Sequence, residues 1–335
     1  MHVLLGKFCY FSLQFYSCLF KINSIVRFFL CLFIFVICNT HTLFAQEKNI
    51  YIADYEQKLI LSVFTAKEFL NITVEDKNQD LMYMPNNPVE LGLGFSWKNS
   101  VFSFAYGYGF DFMRDKKLGK TKSFDLQFHH YNRRFVLDFF LQRYKGFYME
   151  DEKNEIKNVL APDLELRQYG IYGQYIFNHK KLSYKAAYIH NEKQLRSAGS
   201  LLAGGGIYFS RIRSDSSFVY KELDNFQFGA SIGYTYTWVI NKRWFMNGTI
   251  TTGINFGCEN FSKLGKQKLE VSPTVFPRIS IGYDHDSWSL GLTYLSNMTF
   301  PVFSDDIQMG LLSGQFLLSY YRRINDVPVL SRLIK

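Results

Sequence analysis

The sequence has little of what a disulfide-stapled, metal-binding or helix-spanning protein needs. Four of its five cysteines (Cys9, Cys18, Cys31, Cys38) fall within the first 40 residues. That leaves Cys258 alone downstream, so residues 46–335 can form no internal disulfide. Past residue 45 no apolar run approaches the roughly 20 residues a helix needs to cross a bilayer. Nor is there a focused basic motif of the kind that grips DNA or RNA. The formal charge is +9, and Lys7, Lys21 and Arg27 supply three of those charges with no acid among residues 1–45. The remainder therefore carries 9 − 3 = +6, an excess suited to loops near anionic lipid headgroups.

What the chain does have is aromatic side chains. Phe and Tyr number 34 and 23, aromatics make up 18% of residues, and yet the mean hydropathy is −0.09. A soluble core rarely needs so many rings, whereas a barrel wall facing lipid uses them along its strands and at both interfaces. At the N-terminus, Lys21 and Arg27 precede the apolar run Phe28 to Cys38, and Ala45-Gln46 is a plausible cleavage point. The run is too short to span as a helix, so it reads as an export signal over 1–45, with the barrel over 46–335. Leu43 at a position that prefers a small residue, and a second apolar stretch at Phe8 to Phe20, depart from the ideal leader. A misassigned start would explain the second, and an uncleaved anchor is the competing reading.

Without a spanning helix, the chain can cross a membrane only as a closed sheet, because every backbone polar group in lipid needs an internal partner. Period-two alternation is the test. From Asp224 to Ile240, Phe226, Phe228, Ala230, Ile232, Tyr234, Tyr236 and Trp238 share one face, while Gln227, Gly229, Ser231, Gly233, Thr235 and Thr237 share the other. Val89 to Trp97 and Val101 to Phe110 repeat the scheme. Phe124 to His130, Phe135 to Gln142, Tyr169 to Phe177, Leu182 to His190, Trp244 to Phe256, Ile279 to Tyr283, Trp288 to Met298 and Leu312 to Arg322 follow it. A soluble sandwich also alternates, but it buries its apolar faces in one core and does not repeat aromatic ladders strand after strand.

Short polar turns (98–100, 132–133, 178–181, 241–243, 284–287) alternate with longer polar loops (111–122, 146–163, 258–272, 299–308). Outer-membrane barrels have short periplasmic turns and long external loops. Trp97, Trp238, Trp244 and Trp288 all sit near short turns, where an interfacial girdle belongs. The expected fold is an all-β transmembrane antiparallel up-and-down barrel of about 12 strands, within a range of 10–14, with both ends periplasmic, in the outer membrane of a Gram-negative cell. The first strand lies within Leu59 to Glu75 and the last is Leu312 to Arg322. Ser200 to Arg213 breaks the parity: it is an excursion or half of an extra hairpin. Pro273 and Pro277 make the start of the following strand irregular.

Tyr83, Pro85 and Asn86 in Leu81-Met-Tyr-Met-Pro-Asn, Gly92 and Gly94 in the next strand, and Arg196-Ser-Ala-Gly-Ser200 with Leu202 and Gly205 resemble a Bacteroidota outer-membrane β-barrel family of unknown function, domain of unknown function 4421. The resemblance covers almost all of 46–335. It implies barrel form and location, and it brings no activity and no catalytic residues.

No catalytic, cofactor-binding or metal-ligating residue is assigned, no cofactor is expected, and the protein is read as a non-enzyme. The expected partners are outer-membrane lipid and lipopolysaccharide, with no nucleic acid and no specified protein. Three functions compete. A small-solute channel or structural barrel is favoured by small lumenal residues (Gly92, Gly94, Ser103, Ala105, Gly107, Gly109, Gly229, Ser231, Gly233), which leave space that Tyr172, Phe140 and Tyr321 could fill. A lipid-modifying hydrolase would need a histidine within reach of a nucleophile. His129, His130, His179 and His285 lie at the short-turn end, so this reading rests on His190 at the external rim with Ser197, Ser200 and Asn191. A surface-binding barrel would act through loop tips such as 115–117 and 150–153. His129 and His130 are adjacent and leave opposite faces of a strand, so they cannot chelate one ion together. Asp125, Gln127, Asp138 and Gln142 are expected to face the lumen. Pro85 to Pro88 suits an irregular strand entry, and Gly204 to Gly206 suits a close backbone approach.

Overall fold

The computed structural model describes residues 50–324 apart from 58, 76–77, 98–99, 107–111, 113, 217, 219–220, 259–263, 265–268, 301 and 305–306, and it describes no side chains over 95–106, at 302–304 or at 307. The proposed leader lies outside the described residues.

The strands are β1 (Ile52–Asp54), β2 (Leu59–Glu75), β3 (Asp80–Met84), β4 (Glu90–Trp97), β5 (Ser100–Tyr106), β6 (Lys122–Tyr131), β7 (Phe135–Asp151), β8 (Ile156–Ile176), β9 (Glu192–Gln194), β10 (Ala198–Arg213), β11 (Glu222–Val239), β12 (Trp244–Cys258), β13 (Glu270–Asp284), β14 (Trp288–Thr299), β15 (Val302–Ser304) and β16 (Ile307–Ile324). One helical turn, α1 (Tyr184–Tyr188), interrupts them. All pairings are antiparallel. The wall runs β2-β3-β7-β8-β10-β11-β12-β13-β14-β16 and closes where β16 pairs β2 from Gln308↔Glu75 to Ile324↔Leu59. Ten strands thus complete the hydrogen-bonded circuit. β4, β5 and β6 fill the part of the wall below β3, with β4 on β2, β5 on β4 and β6 on β7.

The divided region has a local cause. β3 and β4 lie in line along β2, and between them stand Pro85 and Pro88, which have no N–H to give a ladder. The interruption lets the β5–β6 segment enter the wall. It is fixed by Asn86, whose Nδ2 donates to the Asp115 and Gly119 carbonyls (2.7 and 2.8 Å) and whose N–H donates to Thr121 Oγ1 (2.7 Å). Asn86 therefore fixes the irregular strand entry expected of Pro85 to Pro88.

The alternation holds. On β11, Ile232, Tyr234, Tyr236 and Trp238 are exposed, at 44–60%, while Thr235 and Thr237 are fully buried. A closed wall with an apolar exterior and a polar interior is the arrangement that lipid demands. At the short-turn end Trp244, Tyr283, Trp288 and Tyr320 form a chain of rings at centroid separations of 5.0, 5.3 and 6.2 Å. The Trp97 side chain lies outside the described residues. Both the entry to β2 and the exit of β16 are at this same end, as expected.

Three expectations are corrected. Ser200 to Arg213 is neither an excursion nor half of an extra hairpin; it belongs to β10, a wall strand paired to β8 and β11 over its length. Leu182 to His190 is not a strand: its alternation belongs to α1 and its flanks, in the connection from β8 to β10, which restores the parity. Residues 146–163 are not a polar loop either, because β7 and β8 run through them to a tip at 152–155, with the pairing shifting register at Gly146 (φ +86°). A Cβ at Gly146 would lie 2.7 Å from the Lys120 carbonyl oxygen, so the bulge needs glycine there. The irregularity at Pro277 is real and narrow: β13 continues through it, and its pairing to β14 lapses only between Val275 and Arg278.

Candidate functional site

Among the described residues, side chains pack into the interior at three levels. At the short-turn end, residues 182–194 fold inward as a plug, with 177–181 and 195–197 leading into and out of it. Ser183 caps α1, its Oγ accepting from Ala186 N–H (3.0 Å) and donating to Glu192 Oε2 (2.5 Å). Lys185 Nζ bonds Glu192 Oε1 at 2.9 Å. Gln194 ties the two ends of the plug together by donating to the Lys181 and Arg196 carbonyls (2.6 and 2.9 Å). β9 pairs β1, so the chain entering the barrel is part of the same unit. From the β6–β7 turn, Arg133 reaches Glu192 (3.3 Å) and Asp54 (2.8 Å). Burial opposes the Arg133 charge, but the two carboxylates outweigh it and hold its proton more tightly than usual.

The plug is also fastened to the wall. Tyr184 OH donates to Thr249 Oγ1 (3.2 Å), Tyr188 OH to Asn247 Oδ1 (2.7 Å) and Ser280 Oγ to the Ala187 carbonyl (2.5 Å). Tyr131 meets both plug tyrosines edge-on at 5.8 and 6.3 Å. His190 closes the unit: it is fully buried in a left-handed conformation (φ +52°), with Nδ1 3.1 Å from Asp284 Oδ1. Its ring fits a notch that exists because Gly282 and Gly291 lack side chains; a Cβ at Gly291 would lie 2.5 Å from His190 Nε2. Arg323 donates to the His190 carbonyl (3.1 Å) and to Ser289 Oγ (2.6 Å), and lies 3.5 Å over the Tyr55 ring.

Above the plug, Asp138 joins Arg278 across the lumen (2.6 Å) and His129 on the neighbouring strand (2.6 Å), below the ring cluster Phe140, Tyr172, Tyr208 and Phe276. Gln142 Nε2 and Tyr144 OH both donate to Asp125 Oδ2 (2.6 and 3.0 Å), and Tyr144 OH also lies 3.2 Å from Glu68. At the outer end, Leu70, Ile72, Leu164, Leu166, Ile212 and Met309 form a dry core. Between the middle groups a cavity of about 20 Å³ is bordered by Gln127, Asp138, Gln142, Arg278, Asn297 and Gln315. A water needs about 10–15 Å³, so this space holds little more than one.

Asp138 and Gln142 face the lumen as expected, Asp125 meets Gln142 there, and Gln127 borders the cavity. Phe140 and Tyr172 help fill the lumen, and the Tyr321 ring lies 4.6 Å from that of His190, tilted by 30°. The space expected above Gly229, Ser231 and Gly233 is taken up: Ser231 meets Tyr172 OH (3.1 Å), and a Cβ at Gly233 would strike Thr251 Oγ1 at 2.4 Å. The side chain of Ser103, with 105, 107 and 109, lies outside the described residues. Gly204 to Gly206 run mid-strand in β10, and a Cβ at Gly205 would lie 2.1 Å from the Gly229 carbonyl oxygen, which is the close approach expected. His129 turns to Asp138 while His130 stacks on Phe128 at 6.5 Å, so the two do leave opposite faces.

The expectation for His190 is corrected: it lies at the short-turn end, not at the external rim. Ser197 Oγ instead accepts Val239 N–H (2.9 Å), and Ser200 Oγ accepts Asn178 N–H (2.8 Å) and donates to the Leu201 carbonyl (2.7 Å). Neither serine is brought to His190. Sequence reasoning missed Lys185, Glu192, Arg278, Asp284 and Arg323, all buried in charged pairs. The available signal was that charges recur on faces that otherwise alternate cleanly, where lipid would not tolerate them and a filled interior would.

The fold defines an integral outer-membrane β-barrel, with the buried segment 182–194 folded into its short-turn end. Residues 48–302 match the family described as Domain of unknown function (DUF4421), and the chain belongs to that family. A search of the curated proteins finds no match. Among solved structures it is similar to the outer membrane protease OmpT from Escherichia coli (8% identity, covering 81% of this chain and 98% of that one, TM-score 0.36). It is also similar to the P. putida toluene transporter TodX (8%, 81% and 91%, TM-score 0.27) and to OmpT of Vibrio cholerae (9%, 81% and 99%, TM-score 0.27).

Proposed function

We propose that the protein is a non-enzymatic integral barrel that is closed to solutes, serving a structural or surface-binding role and not that of an open small-solute channel. The observation that carries this reading is the filling of the lumen at three successive levels by the plug, the Arg278–Asp138 layer and the outer apolar core. A charged pair such as Arg278–Asp138 is tolerable in a dry interior only because each group satisfies the other. An open pore would not need that arrangement, since water would solvate both.

Conductance of the refolded chain in a planar bilayer tests the proposal. Protein shown by heat-sensitive gel migration to be folded should give no current steps above the lipid baseline. Stable steps that scale with salt would restore the channel reading and sink this one.

A further inference from the structure

The outer surface of the barrel carries a patch that the closed lumen does not use. Along β7, β8 and β10 the odd-numbered residues face outward, as do the even-numbered ones of β6 and β11. Near the long-loop end these outward positions become charged on five neighbouring strands. Lys122 stands opposite Lys145, Arg143 opposite Arg167 and Arg167 opposite Arg211, while Lys145 and Arg213 flank Glu165. The six cations Lys122, Arg143, Lys145, Arg167, Arg211 and Arg213 face three acids, leaving a net 6 − 3 = +3.

Glu165 is shared by Arg143 (2.9 Å) and Arg167 (2.5 Å), Arg211 pairs with Asp224 (2.5 Å) and Arg213 with Glu222 (2.7 Å). Lys122 and Lys145 are exposed and make no ion pair among the described residues. A membrane strand needs about 9–11 residues. Arg167 and Arg211 lie nine and thirteen residues from the short-turn ends Ile176 and Ala198, which places the band toward the external boundary.

Below the charges on the same strands come rings and then a groove. Tyr169 stacks on Phe209 at 6.2 Å, with the Arg211 guanidinium 5.6 Å over Phe209. The groove, of about 580 Å³, is lined by Leu137, Ile171, Gly173, Gly205, Ile207 and Phe228 among others. That size falls within the roughly 300–1,000 Å³ of ligand clefts. It is open because Gly173 presents no side chain to the lipid.

We propose that this face binds the phosphorylated glycolipid of the outer leaflet, lipopolysaccharide, with phosphates on the cationic band and an acyl chain in the groove. The order along the strands, cations outermost and an apolar cleft beneath, is that of an amphiphile standing in the outer leaflet. Five strands at about 4.8 Å spacing spread the band over roughly 19 Å. That width suits a head bearing several separated anions better than one phosphodiester.

The test measures lipid binding to the full chain in detergent by native mass spectrometry, with purified lipopolysaccharide, the same material after enzymatic dephosphorylation, phosphatidylglycerol, and inorganic phosphate as competitor. Lys122→Gln with Lys145→Gln should weaken lipopolysaccharide binding about 25-fold, taking about fivefold per surface cation. Both lysines are exposed, so that variant should fold as the wild type does. Gly173→Leu should fill the groove and weaken binding, because a Cβ there meets only Leu137 Cδ1 at 3.7 Å and Val136 O at 3.8 Å. Dephosphorylation should reproduce the lysine effect, and inorganic phosphate should not compete. Binding indifferent to the lysines or to dephosphorylation would overturn the proposal. So would equal affinity for phosphatidylglycerol, or a folded Gly173→Leu protein that binds as the wild type does.

Discussion

At the residue scale the Asp138–Arg278 pair has the largest stake. Arg278 is 4% exposed and Asp138 6%, so each charge depends on the other for solvation. Desolvating a pair is expensive, and removing one partner leaves the survivor uncompensated at a cost of about 3–5 kcal/mol. Asp138→Ala should therefore destabilise the refolded barrel by that amount in urea titration. The double variant Asp138→Ala with Arg278→Met should recover most of the loss, since no lone charge remains buried. If the double variant were no more stable than Asp138→Ala alone, the pair would not be what makes the charges tolerable. His129, Tyr131 and the small polar cavity complete this layer, so a local change there should be felt as stability.

At the element scale the plug is the unit that behaves differently from its surroundings. A one-turn helix cannot persist by itself, because nucleation is costly and five residues give almost no propagation. α1 survives through its Ser183 cap, its tyrosines and above all Glu192, where Ser183, Lys185 and Arg133 converge. Glu192→Gln removes the counter-charge of Lys185, which is 4% exposed. Amide exchange over 182–194 should then quicken about a hundredfold, from a loss of about 3 kcal/mol at the buried pair, while the wall strands keep their protection. Exchange that rises equally in β11 and β12 would mean that the plug has no separate stability and opens only with the barrel. His190 belongs to the same unit, since its left-handed backbone is held by the Gly282–Gly291 notch and by Arg323.

At the scale of the whole molecule, the proposed closure rests on more than one barrier. Lys181 and Gln194 lie in contact, so residues 183–193 can be replaced by a short glycine-serine linker without straining the ends. That variant should still give no bilayer current, because the Arg278–Asp138 layer and the outer apolar core remain. A folded plug-deleted barrel that conducts freely would show the plug to be the only barrier and would turn the protein into a gated channel.

The residue pattern by itself determined that the chain is a barrel, which way the faces of its clearly alternating strands point, and where short turns such as 132–133, 241–243 and 284–287 lie. Alternation, aromatic content and turn composition are local, and lipid enforces them on every strand alike; β11 could be assigned residue by residue for that reason. What only the tertiary structure decided is where alternation misleads. Leu182 to His190 alternates as well as many wall strands do, yet it turns inward as a capped helical turn held by nearby Glu192 and by Thr249, Asn247 and Asp284, partners far away in the chain. β10 was ambiguous because counting Leu182 to His190 as a strand left it no place in the parity, and the meaning of its three central glycines lies in the carbonyls of β8 and β11 that approach them. The filled lumen was equally hidden, since a polar residue facing inward reads the same whether it meets water or another side chain across the barrel. That distinction depends on distances between strands that do not neighbour one another, and only closing the wall sets them.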